Sequence, residues 1–111
     1  MVTNCSEELG ATAVACTGIE FDVVVTAERV GYYKPDSRTY ESALAELGAP
    51  ASRCLFVAGS AYDLFGTSKV GLATYWHDRI GMKPPPNMPL PFAYHRTLRA
   101  LLDVVRGRAA G

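Results

Sequence analysis

The sequence lacks an excess of charge of either sign, because its 111 residues include eleven Lys and Arg and eleven Asp and Glu. Nucleic-acid-binding proteins usually concentrate basic side chains on one face, so this balance argues against such a partner. No apolar run approaches the roughly 20 residues of a membrane-spanning helix, and the amino terminus has no basic stretch before a long apolar one. We therefore predict a cytoplasmic protein with no nucleic-acid or membrane partner.

Cysteine is scarce, with only Cys5, Cys16 and Cys54 present. Three thiols cannot all pair with one another, and their spacing fits no zinc motif. We expect reduced cysteines that pack as small apolar side chains. Hydrophobic residues make up 49% of the chain, which is ordinary for a globular protein and predicts one domain with a buried core.

Strand and helix patterns alternate along the first eighty residues. Ser6, followed by two acids, predicts the start of the first helix. Segment 21–26 is rich in β-branched residues without alternation, which is typical of a strand covered on both faces. The predicted elements, in order, are a strand ending at Thr3, a helix from Ser6 to Gly18, a strand at 21–26, a helix from Asp36 or Ser37 to Gly48, a strand at 54–58, a helix at 62–70 and a last strand at 73–76.

The remaining chain is rich in proline at its start. Proline fixes φ and lacks a backbone donor, so residues 82–93 are predicted to be a stiff connector. Segment 94–111 is predicted to be a final amphipathic helix and tail, docked on the sheet through an apolar stripe. Its members are Leu98, Leu101, Leu102 and Val105. The order of elements places the core in residues 1–81, as an α/β fold with a parallel sheet, right-handed crossovers and helices on both sides.

Polar residues follow three of the apolar runs. They are Thr3 with Asn4, then Lys34, then Ser60 with Asp63. Parallel sheets place their chemistry at the carboxyl ends of the strands, so these residues suggest one anion site, and a helix amino terminus after Asn4 would also favour anions. Each residue has a plainer interpretation as a helix cap, a solvated loop lysine or a carboxylate that stabilises a helix dipole.

Other ionisable residues fit this site less well. Asp78 follows the last predicted strand together with His77, but a lateral strand lies far from the middle of the site. We expect a loop role for His77 and no chemical role for His95. No remaining acid presents itself as a nucleophile.

Three segments resemble motifs of the haloacid dehalogenase superfamily. Residues 2–6, 31–36 and 56–66 are similar to its second, third and fourth motifs, and the resemblance extends from Met1 to about Asp78. It implies a Rossmann-like, three-layer αβα fold with a parallel sheet. The Tyr-Lys-Pro and Ala-Tyr-Asp details are most similar to the 2-haloacid dehalogenase branch.

The resemblance also implies roles for the site residues. Thr3, Asn4 and Ser60 would bind the substrate anion, Lys34 would balance charge at the nucleophile, and Asp63 would complete the acidic site. The substrate would be a small anion, either a 2-haloacid or a phosphate ester. Ala58 and Ser60 differ from the serine and asparagine common in the fourth motif of the dehalogenases.

The first motif of the superfamily, an aspartate followed by Gly-Thr, is absent from these 111 residues, as is the cap. In this fold the strand bearing that aspartate is central and lies between the strand ending at Thr3 and the strand at 54–58. We therefore expect a truncated enzyme that is inactive alone. A missing amino-terminal half or a homodimer would complete its sheet.

Three functions remain open at this stage. The leading hypothesis is a dehalogenase-like hydrolase that forms an aspartyl ester and needs no cofactor. The second is a phosphatase that holds Mg²⁺ partly through Asp63. The third is a non-catalytic α/β module used for binding or assembly.

Overall fold

The computed structural model describes residues 1–110, with side chains through Arg108. These residues form two compact units, Met1–Pro50 and a second that begins at Ala51. The first unit contains β1 (Val2–Thr3), α1 (Glu7–Thr17), β2 (Val25–Thr26), α2 (Ala27–Val30) and α3 (Ser37–Leu47). The second contains a 3₁₀ turn (Ala51–Arg53), β3 (Leu55–Ala58), α4 (Asp63–Thr67), a second 3₁₀ turn (Ser68–Val70), β4 (Ala73–His77), β5 (Ala93–His95) and α5 (Leu101–Ala110). Within these residues no helix is long and apolar enough to cross a membrane.

All strand pairs in the described residues are parallel, as predicted. In the first unit β1 pairs with β2, with Val2 opposite Val25. In the second unit β3, β4 and β5 form a sheet in that order. Since parallel neighbours require crossover connections, helices or long segments separate the paired strands in sequence.

Helices α1 and α3 begin and end where their capping residues predict, whereas the short α2 was not predicted. The Ser6 hydroxyl accepts a hydrogen bond from the Leu9 N–H at 3.1 Å, and Asp36 accepts one from the Arg38 N–H at 3.0 Å. Both helices end at glycines, Gly18 and Gly48, each with φ 66°. A side chain at either glycine would strain this left-handed conformation, which explains the sharp stops.

The predicted strand at 21–26 is wrong over its first four residues. Only Val25 and Thr26 form a strand, and the Thr26 hydroxyl already caps α2 by accepting from the Arg29 N–H at 3.1 Å. The length of a strand depends on its partner, and β1 offers only two residues for pairing. Before β2, the Met1 amino group donates to the Val23 carbonyl at 2.8 Å.

Helix α1 lies unusually close to the strands of its unit. A Cβ placed on Gly10 would lie 2.9 Å from Thr26 Cγ2 and 3.8 Å from Thr3 Cγ2. Thr26 is buried and its β-branched side chain is stiff, so it offers little room to move. The glycine is therefore a packing requirement at this point of the helix.

The core of the second unit is built around Trp76. Its ring packs with Ala61 and Leu64, and Met82 and Met88 cover this cluster from the proline-rich segment. Tyr75, the neighbouring residue on β4, is also fully buried, and its hydroxyl donates to the Thr97 carbonyl at 2.7 Å. Adjacent residues of a strand face opposite sides, so β4 is buried on both faces.

The strand at 73–76 is not the last one, contrary to prediction. Strand β5 follows the proline-rich run directly and pairs in parallel with β4, with Tyr75 opposite Ala93. The prolines end at Pro91, so the residues after it can donate to a ladder. Phe92 accordingly donates its N–H to the Thr74 carbonyl at 2.9 Å.

The final helix is only partly buried, which differs from the predicted docking. Leu98 precedes α5, and Leu102 and Val105 remain 64% and 44% exposed. Arg108 anchors the helix instead, because its guanidinium donates to the Ser52 and Cys54 carbonyls at 3.2 and 3.3 Å.

Candidate functional site

Two of the predicted site residues in the first unit contact each other directly. Asn4 Oδ1 accepts a 2.7 Å hydrogen bond from the Lys34 N–H, and Asn4 Nδ2 donates to the Lys34 carbonyl at 3.3 Å. Thr3 lies beside them at the end of β1, where its hydroxyl donates to Cys5 Sγ at 3.1 Å. The end of β1 and the loop after α2 therefore meet at Asn4 and Lys34.

The loop that carries Lys34 is held on its other side by an ordered cluster. Lys34 is half-buried and is followed by a cis peptide bond to Pro35. The Asp36 carboxylate binds Arg38 twice, through Nε at 2.9 Å and Nη2 at 2.8 Å, and the Arg38 guanidinium lies 3.5 Å from the centre of the Tyr32 ring. The hydrogen bonds that Arg38 donates to the Asp36 carboxylate raise the pKa of Arg38.

Sequence reasoning identified Asp36 as a cap but missed its pairing with Arg38 and the stacking on Tyr32. The only available signal was the spacing Tyr32, Asp36, Arg38, which is not diagnostic. This cluster gives the loop a cation–π contact and a two-point ion pair, both of which favour a single loop conformation.

At the amino terminus of α1, one backbone donor is already bound by a side chain of the same unit. Its first N–H, on Glu7, already donates to the Glu28 carboxylate at 3.0 Å. The Glu7 side chain in turn lies 3.2 Å from Arg29 Nε, and Arg29 also binds Glu46. An internal carboxylate therefore occupies a donor that an external anion would need.

Ser60 and Asp63 lie together in one turn of the second unit, directly after β3. The Ser60 hydroxyl accepts from the Tyr62 N–H at 3.2 Å, and the Ser60 carbonyl accepts from the Asp63 N–H at 3.2 Å. Asp63 is 6% exposed and begins α4. A Cβ built on Gly59 would meet no atom within 4 Å, so the chain between β3 and this turn has open space beside it.

Asp78, the other candidate acid, proves to be structural. Its carboxylate is buried and accepts from the Met82 N–H at 2.7 Å and from the Tyr94 hydroxyl at 2.6 Å. The Tyr94 bond is the main cause of a lowered pKa at Asp78, and it raises the pKa of Tyr94. Both carboxylate oxygens are thus committed to joining β4, β5 and the segment between them.

The two histidines lie near the ends of β4 and β5. His77 is the last residue of β4, and His95 stacks on Tyr75 with ring centres 5.2 Å apart. No group of three or more His, Cys, Asp or Glu side chains in the described part of the chain is arranged to hold a metal ion. A Mg²⁺ ion bound by Asp63 would need further ligands beyond this carboxylate.

A family model and a relative of known activity both match this sequence. Residues 2–76 match the family model of the haloacid dehalogenase-like hydrolases. An (S)-2-haloacid dehalogenase of Pseudomonas sp. strain YL is 41% identical over 83 residues, covering 73% of this chain and 36% of that protein.

Two solved structures extend the comparison to the fold. An L-2-haloacid dehalogenase superposes with a TM-score of 0.83 at 29% identity, covering 95% of this chain and 47% of the other. A HAD phosphatase from Thermococcus onnurineus superposes with a TM-score of 0.82 at 28% identity, covering 96% and 49% of the two chains. The chain therefore spans less than half the length of these relatives.

Proposed function

Because this chain belongs to the haloacid dehalogenase-like hydrolase family, we propose that it supplies part of the core of a hydrolase acting on a small anionic substrate of the 2-haloacid type. The three motifs at residues 2–6, 31–36 and 56–66 all fall within the matched region, 2–76. The proposal extends to a cytoplasmic location, where free thiols such as those of Cys5, Cys16 and Cys54 stay reduced.

One observation carries the proposal: Lys34 is half-buried in a loop fixed by Asn4 on one side and by the Asp36–Arg38 pair on the other. An ammonium on a fixed loop can stabilise a neighbouring carboxylate in its ionised, nucleophilic form. Solvated loop lysines do not require such support. We assign Lys34 this catalytic role. We assign Thr3 to binding of the substrate anion, to which its hydroxyl would donate in place of Cys5 Sγ.

In the second unit we assign Asp63 an acidic role in the reaction and Ser60 a role in substrate binding. The turn between β3 and α4 holds both residues through the Ser60 carbonyl and hydroxyl. These two hydrogen bonds also serve the turn itself, so the roles at Ser60 and Asp63 rest on their match to the fourth motif.

The proposed reaction proceeds through an aspartyl ester. An aspartate oxygen attacks the substrate carbon, the new C–O bond forms as the carbon–halogen bond breaks, and halide leaves with the electron pair. Water then hydrolyses the ester to regenerate the carboxylate and release a hydroxy acid. This aspartate belongs to the first motif of the family, which the 111 residues do not contain.

A phosphatase is the second candidate, favoured by the likeness to the Thermococcus onnurineus enzyme. In that case Asp63 would be one ligand of Mg²⁺, and the ion would stabilise negative charge on the phosphoryl oxygens. A non-catalytic module is the third candidate, favoured by the absence of a first-motif aspartate from this sequence.

A chimera tests these candidates. The amino-terminal part of the Pseudomonas (S)-2-haloacid dehalogenase, carrying the first motif, would be fused to this chain. We expect chloride release from (S)-2-chloropropionate in excess chelator, and its loss in Lys34→Ala. Turnover of p-nitrophenyl phosphate that depends entirely on Mg²⁺ would identify the phosphatase instead, and a folded chimera without either activity would favour the binding module.

A further inference from the structure

Both ends of the Asn4 side-chain amide are bonded to the main chain of a single residue. Oδ1 accepts from the Lys34 N–H at 2.7 Å, and Nδ2 donates to the Lys34 carbonyl at 3.3 Å. Only this orientation of the amide is possible, since the flipped one would place the side-chain NH₂ against the Lys34 N–H. The two bonds reproduce the pairing that a neighbouring strand would give to Lys34.

The contact joins residues that are 30 positions apart in the chain. Asn4 follows β1, whose ladder to β2 is only two residue pairs long. Lys34 lies in a loop after α2, and that helix ends at Gly31 with φ 86°. A loop of this kind has no ladder of its own, so Asn4 supplies the hydrogen-bond partners that fix its main chain.

We propose that Asn4 is a positioning residue for Lys34. It fixes the main chain from which the flexible lysine side chain extends, and thereby limits where the ammonium can lie. The significance of that ammonium rests on the proposed function, whereas the positioning contact does not. A lysine side chain has several freely rotating bonds. Fixing the main chain of Lys34 therefore limits the positions that its ammonium can occupy.

Amide hydrogen exchange of the 111-residue chain, followed by NMR, tests the contact. In Asn4→Leu, which has similar volume and no polar group, exchange of the Lys34 amide should accelerate about tenfold, as expected for one lost hydrogen bond. Asn4→Asp keeps an acceptor for the Lys34 N–H and should retain its protection. Ser6→Ala is the matched control, because it removes the α1 cap nearby and leaves Asn4 intact.

An anion titration tests whether the Lys34 ammonium responds to a bound anion. Inorganic phosphate and (S)-2-chloropropionate would be added separately while the Lys34 side-chain resonances are followed. Any anion-dependent shift in the unaltered chain should persist in Ser6→Ala and weaken in Asn4→Leu. If neither anion shifts Lys34 in the unaltered chain, the proposed function fails, while the exchange data still decide the role of Asn4.

The exchange data can overturn the inference in three ways. Slow exchange of the Lys34 amide that persists in Asn4→Leu would contradict the inference. An unprotected Lys34 amide in the unaltered chain would contradict it as well. Equal acceleration in Ser6→Ala would show that local stability, and not the Asn4 contact, protects the amide. Protection at Val25, which pairs with the Met1 carbonyl at 2.8 Å, reports whether each variant keeps its first unit folded.

Discussion

The Tyr94 hydroxyl donates a 2.6 Å hydrogen bond to the Asp78 carboxylate and so joins β5 to the end of β4. The other carboxylate oxygen accepts from the Met82 N–H, and the Asp78 carbonyl accepts from Arg96 Nε at 2.6 Å. The proline-rich chain between these strands cannot form a ladder of its own. One buried carboxylate therefore organises the beginning and the end of this long connection.

Tyr94→Phe should lower the melting temperature by roughly 4–8 °C near neutral pH, because it leaves a buried carboxylate oxygen without its donor. The lowered pKa of Asp78 means that the bond stabilises the fold fully above the ordinary value of 3.8, and that this contribution is lost as the pH falls through the lowered value. The raised pKa of Tyr94 means that the contribution is present below 10.0 and lost as the pH rises through the raised value.

Thermal melts across this pH range check the prediction. The difference in melting temperature between the unaltered chain and Tyr94→Phe should be largest between pH 3.8 and 10.0. It should become smaller below and above this range. Tyr62→Phe is the control, since Tyr62 is 53% exposed on the same unit. A constant difference at all pH values would mean that the Asp78 bond is not the source of the effect.

Gly10→Ala should destabilise the first unit even though alanine favours helices. The added Cβ would lie 2.9 Å from Thr26 Cγ2, and overpacking of this kind costs about 1–3 kcal/mol against a helical gain of about 1 kcal/mol. Gly107→Ala in α5 is the matched control, because its Cβ meets no atom within 4 Å, and it should stabilise by up to about 1 kcal/mol. Urea denaturation measures both, and a more stable Gly10→Ala would contradict the packing argument.

Strand β3 should promote self-association, because among the described strands it pairs only with β4 and Val57 on it is 43% exposed. An apolar edge strand with unpaired backbone groups can pair with a second chain. Val57→Lys should therefore shift the chain towards monomer in sedimentation velocity. Val105→Lys is the control, because Val105 is 44% exposed on α5 and lies outside β3, and it should leave the association state unchanged. If both variants shift the chain equally towards monomer, the added charge rather than the β3 edge explains the effect.

The 111-residue chain alone should show no turnover above background with (S)-2-chloropropionate or p-nitrophenyl phosphate. The covalent step needs a first-motif aspartate, and this sequence does not contain that motif. Chloride-release and p-nitrophenol assays measure the two activities. Turnover that disappears in Lys34→Ala would show that another residue serves as the nucleophile.

The sequence predicted α1 and α3 well because their ends depend on local chemistry. Ser6, Asp36, Gly18 and Gly48 act within one turn of their own positions. The short β2 and the presence of β5 were not predictable in the same way. Their extent is set by distant partners, β1 and β4, and three residues such as Ala93–His95 carry no measurable alternation.

The site was predictable as a set of residue types but not as a set of contacts. Three motifs were enough to identify the family, and the match over residues 2–76 confirms that identification. The bonds between Asn4 and Lys34 join a side chain to a main chain 30 residues away, and no periodicity records such a pairing. The roles of Thr3, Ser60 and Asp63 stay predictions that the chimera tests.

The close approach of α1 to the strands also constrains how this sequence can change over evolution. Gly10 and Thr26 share a space too small for one more methyl group, so the volumes at these two positions should be inversely correlated among relatives. A relative with alanine at the position of Gly10 should carry serine or a smaller residue at that of Thr26. Since the Thr26 hydroxyl also caps α2, serine is the replacement that relieves the crowding and keeps the cap.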